Sequence, residues 1–306
     1  MQLLDIKVPA MTRVQYANLA SQEVWTPKIR IASALYPNLE FNTVKHGVRD
    51  CMIMHNVNPM EMDVISRRLA KDGMIIVPLQ KEGSAMNQFG HHSPSYNGQG
   101  NYTYRAVVTR SMSHANDFVH AHHSRDDLSI GKLLGFPECC SKFFDEQWKA
   151  GMFDPIWQQA GNSLDSSIKK NVRLIQDDNN KDKEHVIRFR AEGEYYKTLS
   201  VFRYLGVRFI SHIPCSFNCD ASVEVANNWI QLAQDINAVG LKEALEVMSL
   251  PFEWSCLKGI AEVNTPVFKI STASVPCYPT HTIQQESDVY PEEAPKGIQF
   301  PWKYFK

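Results

Sequence analysis

Hydrophobic positions alternate along some stretches of the chain and recur at helical spacing along others. Cys51–Val57 is apolar and strand-like, and Asn58-Pro59 then starts a helix with the proline in its first turn. Met60, Val64 and Leu69 mark its expected buried side, Gly73 stops it, and residues 74–79 read as a second strand. That order predicts a strand–helix–strand unit with a right-handed crossover. Tyr102–Thr109 alternates as a third strand. Ser111 or Ser113 can cap a helix running to about His123, and residues 126–134 read as a short helix ended by Gly135. Pro137-Glu138 opens a helix to about Ala150, and Asp154-Pro155 opens another.

Beyond these, His185–Arg190 alternates as a strand and residues 192–205 have Tyr195, Leu199 and Phe202 at helical spacing. Residues 207–211 read as a strand, followed by a long helix to about Asn237 with Val223, Ala226, Trp229, Ile230, Ala233 and Ile236 inward. Leu241–Met248 is a short helix, and residues 252–272 favour strands through their β-branched content. Weak periodicity and two prolines, Pro27 and Pro37, predict only short elements and loops over residues 1–48. Residues 81–101 read as a long Gly-, Ser- and Asn-rich loop containing His91-His92, and the last thirty residues as a surface wrap. The expected fold class is α+β (mixed α/β): an N-terminal α/β unit over 1–110 and a cysteine-bearing domain over 111–306. Residues 163–184, with ten charged residues, form a flexible insertion in the second.

The chain has 306 residues, 43% of them hydrophobic, enough for one large core or two modest ones. A net charge of -1 gives no global field toward nucleic acid or a membrane. No apolar run is long enough to span a bilayer, and the start lacks the pattern of a secretory signal, so a soluble cytoplasmic protein is expected. GxGxxG after a strand, GxxxxGK[ST], HExxH, GxSxG and CxxxCxxC are all absent. Aromatic residues are not interleaved with a basic stripe, which leaves nucleic acid only weakly signalled as a partner.

Cysteine usage changes the picture most. Of the seven cysteines, four lie in two short runs, Leu134-Gly135-Phe136-Pro137-Glu138-Cys139-Cys140 and His212-Ile213-Pro214-Cys215-Ser216-Phe217-Asn218-Cys219. A disulfide framework is a poor expectation for an intracellular chain of this size, and metal or catalytic use is the better one. Zinc takes four nitrogen or sulfur donors, usually from two chain segments. Cys140, His212, Cys215 and Cys219 are the expected metal ligands, with Cys139 as a further fourth-ligand candidate and Cys256 and Cys277 in reserve. Four thiolates can equally hold an iron–sulfur cluster. Adjacent cysteines seldom share one ion, so one of Cys139 and Cys140 is expected to dominate. The rival reading is nucleophilic, with a thiolate at a helix start and His212 as its base. The plain alternative is a set of packed, buried thiols.

Two further groups can serve chemistry. If one helix continued from His114 past Arg125, then His120, His123 and Asp127 would share a face able to meet a metal or phosphate, with His122 pointing elsewhere. A solvated helix face is the ordinary alternative. Glu253, between Phe252 and Trp254, can act as an acid–base carboxylate or be a surface residue beside core aromatics. Arg203 and Arg208 flank Gly206 and can hold a phosphate or carboxylate, or be ordinary helix-end charges.

The run Ile130–Cys140, the His212–Cys219 run, and Glu253-Trp254-Ser255 through Gly259-Ile260-Ala261-Glu262-Val263 together resemble a family of bacterial and phage proteins with an LGxPxCC…HxPCSxxC signature. The resemblance covers roughly residues 100–300 and implies a cysteine-centred site, without an activity to carry over. Lys258 stands where the pattern would have a histidine. The expected function is a zinc or iron–sulfur enzyme acting on a small molecule, with nucleotides or modified bases as the expected substrate class. Cys139, Glu253, His120, His123 and Asp127 are its catalytic candidates. The alternatives are a metal-free cysteine-nucleophile enzyme and a structural zinc-binding interaction module.

Overall fold

The computed structural model describes residues 12–83, 102–148, 155–163, 185–190, 193–257, 260–273 and 281–286. Its nine described strands form two sheets. The larger has the order β1-β8-β7-β6-β9-β5, where β1 is Arg13–Tyr16, β5 His185–Arg190, β6 Phe252–Leu257, β7 Ile260–Asn264, β8 Phe268–Ala273 and β9 His281–Glu286. All its pairings are antiparallel except β5 with β9. The smaller has the order β2-β4-β3, with β2 Cys51–Val57, β3 Ile75–Gly83 and β4 Tyr102–Thr109. With the helices below, this is the mixed α+β fold expected.

The strand–helix–strand unit is split. α2 (Met62–Lys71) joins β2 to β3, but β4 lies between them and pairs antiparallel with both. The two faces of this small sheet are covered separately. Val107 of β4 packs with Phe118, Ala121, Ile130 and Leu134, whereas its neighbour Val108 packs with Val44, Met52, Leu69 and Met74. This is the alternation of a strand buried on both faces. On α2 only Leu69 is buried; Met60 and Val64 are exposed, contrary to expectation. Met60 stands in a short 3₁₀ turn, Pro59–Glu61, and not on the α-helix, so the expected helical spacing from it to Val64 and Leu69 is broken.

The largest departure is α1, one 27-residue helix over Leu19–Lys45 with Pro27 and Pro37 inside it. Asn18 caps its start by accepting from the Ser21 amide. Buried Trp25, Ala32, Leu35, Tyr36 and Leu39 recur along one side. They pack against Trp229 and Ala233 of α7 (Asp220–Asp235), Ala244 and Val247 of α8 (Leu241–Met248), and Phe268 of the large sheet. That burial outweighs the roughly 3 kcal/mol an interior proline costs a helix.

The chain crosses the expected boundary near residue 110 in both directions. β1 joins the large sheet, while α3 (Met112–Ser124) and α4 (Asp127–Leu133) pack on the small one. In place of the one helix expected over 192–205, the described residues 193–205 hold two 3₁₀ turns, Tyr195–Thr198 and Val201–Leu205. Residues 207–211 join no sheet; they are irregular, with Val207, Phe209 and Ile210 buried. Residues 164–184 of the expected insertion, His91-His92, Cys277 and the chain after β9 lie outside the described residues, while Ser163 ends α6 (Pro155–Ser163).

Candidate metal centre

Gly135, with φ +72, reverses the chain after α4 and lets Pro137 start α5 (Glu138–Phe143). Cys139 and Cys140 therefore sit in the first turn of α5. Consecutive helical residues point about 100° apart, which still lets both sulfurs reach a point beyond the helix start. Cys219 stands at the N-cap position of α7, with Cys215 four residues before it in an irregular loop. That loop is anchored from behind by α6 (Pro155–Ser163). Asn162 Nδ2 donates to the Cys215 carbonyl at 2.8 Å, and the Phe217 amide donates to Ser163 Oγ at 2.7 Å. Phe217 itself is buried in the main core.

These supports bring four sulfurs together. Cys139, Cys140, Cys215 and Cys219 offer Sγ atoms all within 4.8 Å of one another. The Cys139–Cys140 separation is 3.8 Å, and Cys219 lies 3.7 Å from each. A tetrahedron with metal–sulfur bonds of 2.3 Å has edges of about 3.8 Å. The group fits one ion.

His212 is not in the group. Its Nε2 lies 2.9 Å from Ser222 Oγ, and Ser222 Oγ lies 3.2 Å from Cys140 Sγ. The ring also packs on Phe136 with centroids 5.2 Å apart. The place expected for His212 is taken by Cys139, so both members of the adjacent pair contribute. His212 supports the centre through Ser222. A Ser222 hydroxyl donating to a Cys140 thiolate must accept from His212 Nε2–H, which fixes the tautomer by the network and leaves Nδ1 as an acceptor.

Electrostatics divides the four thiols. Hydrogen bonds from Cys140 and Cys215 hold the Cys219 thiol far below its ordinary range. Cys219 also meets the amide end of the 16-residue α7. Cys140 is pushed far above the ordinary thiol range, because its hydrogen bonds to Cys215 and Cys219 commit its proton and burial adds to this. Four bare thiolates this close would repel one another, and a bound cation would relieve that repulsion. Burial lowers His212 to about 4, so the imidazole is neutral near pH 7.

The centre borders a cavity of about 260 Å³, lined by Cys140, His212, Ser141, His122, Asp127 and four arginines among others. Asp127 lines this cavity along with Cys140, whereas His120 and His123, expected on one face with it, are exposed on α3 and do not. Arg125 explains the switch. It adopts the left-handed conformation, φ 59, and ends α3. Asp127 then opens a new helix and shares the cavity with buried His122. Glu253 is partly buried on β6, paired in register with Asn264 and Gln284, and does not line the cavity. Cys256 is buried in the main core, and Cys51 on β2, where burial raises its thiol to about 11.

Sequence reasoning missed His122, Arg49, Arg105, Ser141 and Ser222. Only Ser222 carried a signal, three residues after Cys219 at a helix start. Comparison with family models, curated proteins and solved structures finds no match for this chain. Among the described residues no helix is long and apolar enough to cross a membrane.

Proposed function

We propose that the protein is a metal-dependent enzyme in which Cys139, Cys140, Cys215 and Cys219 hold a single zinc or iron ion beside a substrate cavity. The observation that carries this is the mutual approach of four sulfurs within 4.8 Å. An iron–sulfur cube puts each thiolate on a different iron and needs the sulfurs spread further apart, so the spacing favours a mononuclear ion. Zinc in four thiolates supplies stiffness and a fixed charge, and iron in the same set supplies a one-electron couple.

The chain's own residues have separable roles. Cys140 and His212 join the centre to the cavity, since both line it. His122 and Asp127, each about nine-tenths buried, are the groups placed to move a proton on a bound molecule. The apolar wall, including Phe118, Ile130 and Leu134, excludes water around it. A nucleotide or modified base is the substrate suggested by the phage association of the signature alone, not by residues of the site.

Four-sulfur coordination is closed, which also suits a structural zinc module. The cavity against Cys140, apolar over most of its wall with a few buried polar groups converging on it, favours the enzyme. The test is to incubate metal-loaded protein with a small-metabolite extract and follow its contents by mass spectrometry. Consumption of at least one metabolite is expected, with none consumed by the Cys140→Ser variant. If loaded protein changes nothing, the structural module is the better reading.

A further inference from the structure

We propose that Arg203 and Arg208 form an oxyanion-binding end of the cavity, and that its ligand is a small phosphate monoester. This deepens the reading of the cavity as a substrate site, but binding can be measured without turnover. Four arginines line the cavity, and two are already committed. Arg49 pairs with Glu40 at 3.1 Å and donates to Thr43 Oγ1 at 2.8 Å. Arg105 pairs with Glu82 at 2.6 Å. Arg203 and Arg208 have no carboxylate partner among the described residues.

Both arginines line the cavity, and Arg203 otherwise makes only a long 3.5 Å hydrogen bond to the Tyr204 hydroxyl and lies over that ring at 5.1 Å. Arg203 lies in the 3₁₀ turn Val201–Leu205, Gly206 turns the chain with φ +77, and Arg208 follows in the irregular segment. The Arg208 guanidinium stacks on the Tyr36 ring at 3.9 Å. Stacking uses its face and leaves its in-plane N–H donors for a ligand. Its Nε is buried and without a hydrogen-bond partner. Two more polar atoms on the lining share that state: Ser141 Oγ, in a residue 6% exposed, and His212 Nδ1, in a residue 8% exposed. Buried polar atoms are nearly always satisfied, so the Arg208 and Ser141 donors point to a ligand with acceptor oxygens, and the His212 acceptor to a hydroxyl on it, such as that of a singly protonated phosphate.

The sulfurs do not use these cations. Cys140 Sγ is contacted by Ser222 Oγ, the Cys215 amide and the neighbouring thiols. A carboxylate is saturated by one guanidinium fork, whereas a phosphate has the oxygens and charge for two. The volume, about 260 Å³, is at the small end for ligand sites, and the remaining wall is largely apolar. A compact ester with an apolar body fits; a polymer does not.

Calorimetric titration of the metal-loaded full chain at fixed ionic strength tests this, with inorganic phosphate, phenyl phosphate, acetate and chloride as probes. Phosphate should bind at least tenfold more tightly than acetate, and phenyl phosphate more tightly than phosphate. Arg203→Gln and Arg208→Gln should each weaken phosphate at least tenfold, and Arg208→Lys should recover only part. If Arg208→Gln does not fold, by circular dichroism, Arg203→Gln and Arg208→Lys decide. Phosphate binding no tighter than chloride, or unchanged in Arg203→Gln, overturns the site. Equal affinity for phosphate and phenyl phosphate overturns the ester. Metal content read on the same samples separates the two ideas: phosphate bound without metal sinks the metal reading alone, and metal bound without phosphate sinks this one alone.

Discussion

Ser222 is the residue on which the centre's outer support turns, because its hydroxyl touches both Cys140 and His212. Outer contacts of this kind orient ligands and typically change metal affinity 10–100-fold when lost. Ser222→Ala is expected to weaken the metal by roughly that factor in a chelator competition while leaving stoichiometry unchanged. His212 makes a separate prediction about acid. Its folded pKa, about 4, lies below the unfolded value near 6.5. The unfolded chain therefore binds the extra proton first, and stability contributed by the neutral ring is full above pH 6.5 and lost as pH falls toward 4. The loss is about 3 kcal/mol by linkage. Denaturant unfolding at a series of pH values should show His212→Asn losing less stability over that window than wild type. Equal slopes for the two proteins would remove His212 from the buried network.

Among the elements, α1 and α8 are held at a close crossing. Lys28 bonds Glu246 at 2.7 Å, and Gly240 precedes α8 with φ +98. A Cβ added at Gly240 would lie 2.6 Å from the Ile31 carbonyl oxygen. Gly240→Ala should cost about 2–4 kcal/mol, from the left-handed backbone plus a clash with main chain that cannot rotate away. Thermal unfolding checks this, and metal content should not change. Elements with strong local signals were legible in sequence: β2, β4, β5 and α8 fall on the expected residues, because alternation or a clear amphipathic face decided them. α1 was not, because tertiary packing of Trp25, Tyr36 and Leu39 overrides two prolines. The site divides the same way. Two proline–cysteine runs announced Cys139, Cys140, Cys215 and Cys219. The face of α3 hung on one left-handed residue, Arg125, and nothing local distinguished it from a continuing helix. Arg49, which completes the cavity wall from before β2, has no motif at all.

At the scale of the whole molecule, the centre ties distant parts of the chain. Cys139 and Cys219 are 80 residues apart, and α5, α6 and α7 meet around them. α1 links the two sheets, contributing Trp25 to the main core and Val44 to the small-sheet core. Closing an 80-residue loop through the ion should stabilise the fold by about 4 kcal/mol, on the scale of a disulfide of similar span. Treatment with a strong chelator under reducing conditions is therefore expected to lower the melting temperature by several degrees, with recovery on adding back zinc or iron. Unchanged melting after complete metal removal would mean that the sulfurs converge for packing alone. The most direct measurement is X-ray absorption at the metal edge of protein purified without air. One ion per chain with four sulfur neighbours at about 2.3 Å is the expected result. A shell containing an imidazole nitrogen, a shell with fewer than four sulfurs, or a protein with no bound metal would contradict the four-cysteine centre.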